Sequence, residues 1–134
     1  MLKSIAVCAL SAMVSLAPAA ETREAAVAGA FYPADPKELS AMVRGFLKEA
    51  QKRNVDGELV GLMVPHAGYV FSGKAAAYGY KVLEGRRIDT VVVVGLSHGY
   101  PVDGGALLDD DFKTPLGVVS VDKGLVKELL AADE

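Results

Sequence analysis

At 134 residues, of which 51% are hydrophobic, the chain has the size of one ordinary domain and enough apolar side chains to exclude global disorder. Its formal net charge is −3 and its pI about 5.4, which excludes the strongly basic footprint of a nucleic-acid-binding module. The single cysteine, Cys8, excludes an internal disulfide framework.

The first element in chain order is not part of the fold. The segment 1-MLKSIAVCALSAMVSLAPAAETREA-25 has the layout of a secretory signal peptide. Lys3 supplies a short positive region. Ile5 to Leu16 is apolar apart from small polar residues, and Ala17-Pro18-Ala19 is an A-x-A cleavage pattern. The apolar run falls short of the about 20 residues that a spanning helix needs, and Pro18 interrupts it. The expected organisation is therefore a signal peptide over 1–19 and one α/β domain over 20–134. The expected destination is the periplasm or the exterior, with no membrane span after cleavage.

The stretch 31-FYPADPKEL-39 carries a helix start. Asp35 suits the N-cap, Pro36 the first helical position, and Glu38 stands three residues beyond the cap. Leu39, Met42, Val43, Phe46, Leu47 and Ala50 then recur with helical spacing. Lys48, Lys52 and Arg53 fall near the C-terminal end, where the helix dipole favours cations. Asn54 and Gly57 end the pattern. Leu59 to Val64, LVGLMV, is predicted as a buried strand that stops at Pro65. A second helix is predicted from near Ser72 through Leu83 to Gly85. Asp89 to Gly95, with 91-VVVV-94, is a second buried strand. A weaker strand is predicted over Ala106 to Leu108. Asp109 to Asp111 follows as a solvated acidic turn, then a strand over Val118 to Val121. Asp122 caps a last amphipathic helix, Leu125 to Leu130.

Two unalternating apolar strands joined through a helix form a βαβ unit. The sheet is then at least partly parallel and covered by helices. The last residues, 125-LVKELLAADE-134, break off inside a helical pattern with no closing strand. The expected fold is the N-terminal portion of a larger α/β domain.

The chain has two histidines, and each follows one of the predicted parallel strands: His66 in 64-VPHAGYVFSG-73 and His98 in 95-GLSHGYP-101. Ligand sites of open α/β sheets form at the carboxyl ends of strands. Neighbouring strands lie about 5 Å apart, so two imidazoles rising from such ends could share one metal ion. Pro65 fixes the approach to His66. Gly68 and Gly99 are expected to take positive φ and leave room beside a ligand. Tyr69 and Tyr100 could donate hydrogen bonds to a bound oxygen, and Ser97 adjoins His98. These residues, Pro65, Gly68, Tyr69, Ser97 and Tyr100, are the expected pocket lining. Two neutral imidazoles with a further oxygen or sulfur donor suit iron, copper or zinc. No G-x-S-x-G elbow and no phosphate-binding G-x-x-x-x-G-K-[ST] loop is present.

Four stretches, 28-AGAFYPADPKEL-39, 64-VPHAGYVFSG-73, 91-VVVVGLSHGYP-101 and 114-TPLGVVSVD-122, together resemble the Memo family in order and spacing. Its bacterial members are called AmmeMemoRadiSam system protein B. The resemblance covers nearly all of the chain after residue 19. It implies a fold like the class III extradiol dioxygenases, an αβα sandwich around a central, partly parallel sheet. It also implies a metal, iron or copper, with His66 and His98 as two ligands. The third ligand would be a cysteine or other residue in the distal half of the family domain, outside this sequence. Partners from the AmmeMemoRadiSam system are implied too. The chain departs from the family pattern at Leu96, where proline is frequent, and at Gly99, where histidine or a similar residue is frequent.

Two functional expectations follow. One is a non-haem iron or copper protein with redox, dioxygenase-like chemistry. The other is a non-catalytic binding or partner protein that keeps the dioxygenase-like scaffold and recognises a peptide or a small molecule. A third expectation concerns the chain itself, as a fragment that does not fold stably alone.

Overall fold

The computed structural model describes residues 22–99, 101 and 105–132. The predicted signal peptide and Tyr100 lie outside the described residues. Six elements follow in order: β1 (Thr22–Arg23), α1 (Pro36–Glu49), α2 (Tyr69–Lys81), β2 (Asp111–Thr114), β3 (Gly117–Val119) and α3 (Lys123–Ala131). The fold is α/β, with helices and a small mixed sheet.

α1 starts where its residues dictate. The Asp35 side chain accepts hydrogen bonds from the backbone N–H groups of Lys37 and Glu38 at 2.8 and 2.9 Å. Two otherwise orphaned helical donors are thereby satisfied. The helix stops at Glu49, earlier than the basic residues suggest. Lys52 lies beyond it and reaches across to the carbonyl of Glu84 at 2.6 Å. The apolar stripe of α1 faces α2, and Leu39, Ala50, Ala76, Ala77 and Val82 are the buried apolar residues. The two helices approach closely because Gly73 has no side chain. A Cβ there would stand 2.6 Å from the Phe46 ring. An exposed ion pair, Lys74 to Glu49 at 2.7 Å, bridges the same two helices. Lys74 holds the Glu49 carboxyl below the usual glutamate range through that hydrogen bond and its charge.

The sheet runs β1-β2-β3. β1 and β2 are parallel, with Thr22 opposite Asp111 and Arg23 opposite Phe112. An ion pair from Lys113 to Glu24, 2.9 Å long, supports that pairing. β2 and β3 form an antiparallel hairpin around Pro115 and Leu116. Gly117, at φ +134°, takes a backbone conformation that side chains resist. The Thr114 hydroxyl closes the turn, donating to the Gly117 carbonyl at 2.9 Å and accepting from the Leu116 N–H at 3.1 Å. α3 is capped by Asp122 as predicted, through the N–H groups of Gly124 and Leu125.

The strand predictions need correction. Residues 59–64 and 89–95 form no regular element, and neither belongs to the sheet among the described residues. A strand needs a hydrogen-bonding neighbour, and among the described residues no backbone hydrogen bond reaches either run. Residues 106–108 are outside the sheet as well. The strand begins instead at the end of the acidic run, where the Asp111 carboxylate accepts from the Val121 N–H at 3.0 Å. The parallel pairing predicted for 59–64 and 89–95 is found between β1 and β2. Alternation nevertheless survives in residues 62–64. Leu62 and Val64 both face Gly79 of α2, whereas the intervening Met63 is 98% exposed. Among the described residues, no helix is long and apolar enough to cross a membrane.

Candidate functional site

The two histidines meet. His66 Nε2 and His98 Nε2 are 3.0 Å apart, with ring centroids 5.2 Å apart and planes inclined by 31°. Without a cation, such a pair is an N–H···N hydrogen bond in which one ring donates from Nε2 and the other accepts. The donor set also passes a test for a shared metal. Two nitrogens bound to one ion at about 2.0–2.1 Å each can be no more than about 4.2 Å apart, and this pair lies well inside that limit. Among the described residues, no third His, Cys, Asp or Glu joins them.

Local chain geometry brings His66 to this position. The run 59–64 rests against α2 through Leu62 and Val64, and Pro65 leads from it into the histidine. Only two residues, Ala67 and Gly68, separate His66 from the first turn of α2. Gly68 serves as the N-cap at φ −53°, so the positive φ expected of it is not present, and Gly99 is not among the positive-φ glycines either. The requirement at Gly68 is space. A Cβ there would approach the Phe31 ring to 3.4 Å and the Phe31 carbonyl oxygen to 3.5 Å. That carbonyl accepts the Tyr69 N–H at 2.7 Å. The loop 27–32 thus straps the start of α2, and the Tyr32 and Tyr69 rings pack at 5.4 Å, tilted by 48°.

A cleft of about 490 Å³ opens between this strap, α1 and α2, with Pro65, His66, Tyr69 and Tyr80 among its walls. No Asp, Glu, Lys or Arg lines it. Burial in this setting pushes the Tyr69 phenol above the usual tyrosine range, and the neighbouring Tyr80 and Tyr32 add to the shift. Of the predicted lining residues, Pro65 and Tyr69 border the cleft, Gly68 is buried behind it, and Ser97 is exposed beside His98.

Sequence reasoning missed several residues that build the site. Ser72 is buried and donates to the Ala67 carbonyl at 2.8 Å. Phe31 supplies a backbone acceptor, which no side-chain pattern reveals. Gly73 and Gly79 are contact points of α2. The one available signal for the glycines was their presence inside a helical pattern, which usually has a packing reason.

Architecture and site together make this an α/β chain in which the loops after two apolar runs bring a pair of imidazoles together. Its membership is more specific than that. Residues 23–134 match the Memo family, described as Memo-like protein. The chain is 35% identical over 113 residues to a MEMO1 family protein of Nitrosopumilus maritimus, covering 80% of this chain and 41% of that protein. It is 42% identical over 114 residues to one from Methanosarcina barkeri, covering 80% and 39%. Against one from Methanopyrus kandleri the identity is 41% over 121 residues, covering 81% and 41%. The chain belongs to the Memo family and spans about two-fifths of the length of these relatives.

Proposed function

We propose that His66 and His98 form two thirds of a non-haem metal centre, for iron or copper, in a Memo-family protein with redox, dioxygenase-like activity. The observation that carries this reading is the 3.0 Å separation of the two Nε2 atoms. Bound iron or copper would supply the redox chemistry. The chain's own residues would do the rest. Each imidazole would ligate through Nε2 in its neutral form, with the proton on Nδ1. Tyr69 keeps its phenolic proton over a wider pH range than an exposed tyrosine and would serve as a hydrogen-bond donor at the cleft. The uncharged walls would favour the apolar part of a small substrate seated beside His66. The third donor would come from polypeptide corresponding to the part of the relatives that this chain does not match. Export through the N-terminal segment, and partners from the AmmeMemoRadiSam system, complete the proposal.

Anaerobic titration of a protein that joins this chain to the polypeptide supplying the third donor, with Fe(II) and with Cu(I) or Cu(II), read by elemental analysis after desalting, tests it. Saturable, equimolar uptake is expected from the wild type, with loss in His66→Ala and in His98→Ala. Uptake should also weaken on acidification, because protons compete for the same nitrogens. Absence of uptake by the wild type, or equal uptake by the two variants, refutes the reading.

A further inference from the structure

The motif VPHAGYVFSG contains a residue that the metal reading leaves unused. Ser72 is the one buried polar side chain among the described residues, 7% exposed. It lies in the first turns of α2, where a serine hydroxyl can bond back to a preceding carbonyl. Its Oγ donates to the Ala67 carbonyl at 2.8 Å, and a much longer contact reaches the Gly68 carbonyl at 3.5 Å. The Gly68 carbonyl already accepts the N–H groups of Phe71 and Ser72. The Ala67 carbonyl accepts from no backbone N–H among the described residues, and the serine hydroxyl is the donor found on it. Ala67 immediately follows His66. On the far side of the same short loop, the Tyr69 N–H is held by the Phe31 carbonyl at 2.7 Å.

We propose that Ser72 is a positioning residue for His66: its hydroxyl, through the Ala67 carbonyl, fixes the loop so that the His66 imidazole meets His98. The proposal rests on reading the two histidines as one site, but its test does not depend on a metal. The position of His66 is set from the helix that follows it and not by the run that precedes it alone. A serine at this point of the motif therefore has a role that a buried apolar residue of similar size cannot fill.

The chain has two histidines and no tryptophan, so its imidazole proton signals form two separable sets. Hε1 and Hδ2 flank Nε2 on each ring, and a 3.0 Å Nε2 pair brings protons of the two rings within nuclear Overhauser range. In the isotopically labelled full chain, inter-ring cross-peaks are expected. Ser72→Ala should reduce their intensity several-fold with the helical circular dichroism retained, and Ser72→Thr, which keeps the hydroxyl, should restore them. Asp35→Ala, which removes the α1 cap far along the chain, should lower the melting temperature and leave the cross-peaks unchanged. If Ser72→Ala loses its helical signal, Ser72→Cys replaces it, being close in size and a weak donor, with the same loss expected. Cross-peaks that persist at full intensity in the folded Ser72→Ala or Ser72→Cys variant overturn the proposal, as does their absence in the wild type. Metal uptake is measured in parallel on the protein that also carries the third donor. A Ser72-dependent ring contact without metal uptake upholds this inference and refutes the metal reading. Uptake with a contact that ignores Ser72 does the reverse.

Discussion

Two glycines inside helices should respond in opposite directions to the same substitution. At Gly45 of α1, an added Cβ meets nothing within 4 Å. At Gly79 of α2, it would stand 2.7 Å from Val64 Cγ1 and 3.0 Å from Leu62 Cδ1. Alanine is favoured over glycine in a helix interior by about 1 kcal/mol, through lower backbone entropy in the unfolded chain. Nothing opposes that gain at Gly45, so Gly45→Ala should stabilise by about 0.5–1 kcal/mol. At Gly79 the methyl group overlaps Val64, a β-branched side chain with little freedom at χ1. Leu62 has room to turn away, being 38% exposed, whereas Val64 has to carry its backbone with it. Overpacking of this kind costs about 1–3 kcal/mol. The net effect of Gly79→Ala is then a destabilisation of up to about 2 kcal/mol, after subtracting the propensity gain. Because that gain is common to both variants, the difference between them, about 1–3 kcal/mol, isolates the contact between α2 and residues 62–64. Urea denaturation of the full chain, followed by circular dichroism, measures both. A Gly79→Ala variant as stable as Gly45→Ala would show that residues 62–64 do not lie against α2.

Three further outcomes are expected. Asp35→Ala should cost about 1 kcal/mol by removing the cap on α1, and Asp35→Asn should recover most of it; thermal melts followed by circular dichroism decide. Lys74 depresses the Glu49 carboxyl in the folded state, so this pair contributes above the usual glutamate range and its contribution fades as pH falls through the folded value. Glu49→Gln should flatten the acid limb of the stability curve at low salt, the effect should shrink at high salt because both groups are exposed, and an unchanged acid limb refutes it. Val93 is 86% exposed within a four-valine run, a segment prone to pairing with another chain. Val93→Lys should reduce concentration-dependent association in sedimentation velocity, and identical profiles for the two proteins count against that reading.

Short-range chemistry was legible from the residues, and long-range pairing was not. Asp35-Pro36 and Asp122 announced two helix starts because a cap involves residues two or three apart. The residue pattern puts the start of α2 near Ser72, three residues beyond Tyr69, where the helix begins. Its N-cap, Gly68, offers no side-chain acceptor, while Ser72 resembles a cap and is instead a buried donor. TPLG stood out only as part of a family resemblance, although a two-residue turn closed by Thr114 and a positive-φ glycine is a hairpin signal in its own right. The valine run has the composition of a central strand. Whether it joins a sheet depends on segments far away in sequence, and none of the described ones does so. The histidine pair was half visible. Equivalent positions after two apolar runs suggested a common site, but a 3.0 Å approach depends on how α2 is seated.

The two halves of the site are held unequally. His66 is anchored from three directions: residues 62–64 lie against Gly79, the Ser72 hydroxyl holds the next carbonyl, and the Phe31 carbonyl holds the Tyr69 N–H. His98 follows valines that are 67% to 91% exposed, and among the described residues its hydrogen-bond partner is His66. The chain thus supports His66 through more contacts than it gives His98. A metal ion would favour the same arrangement, because it binds only where both nitrogens converge, and its binding free energy would then help to order the segment that carries His98. The relatives are about two and a half times as long as the matched segment. Polypeptide that added strands beside the valine run would act on the same weak half by fixing the segment that leads to His98. The sheet and the metal would thus reinforce one another at one residue, while the PHAGYVFSG helix start keeps His66 in place without either.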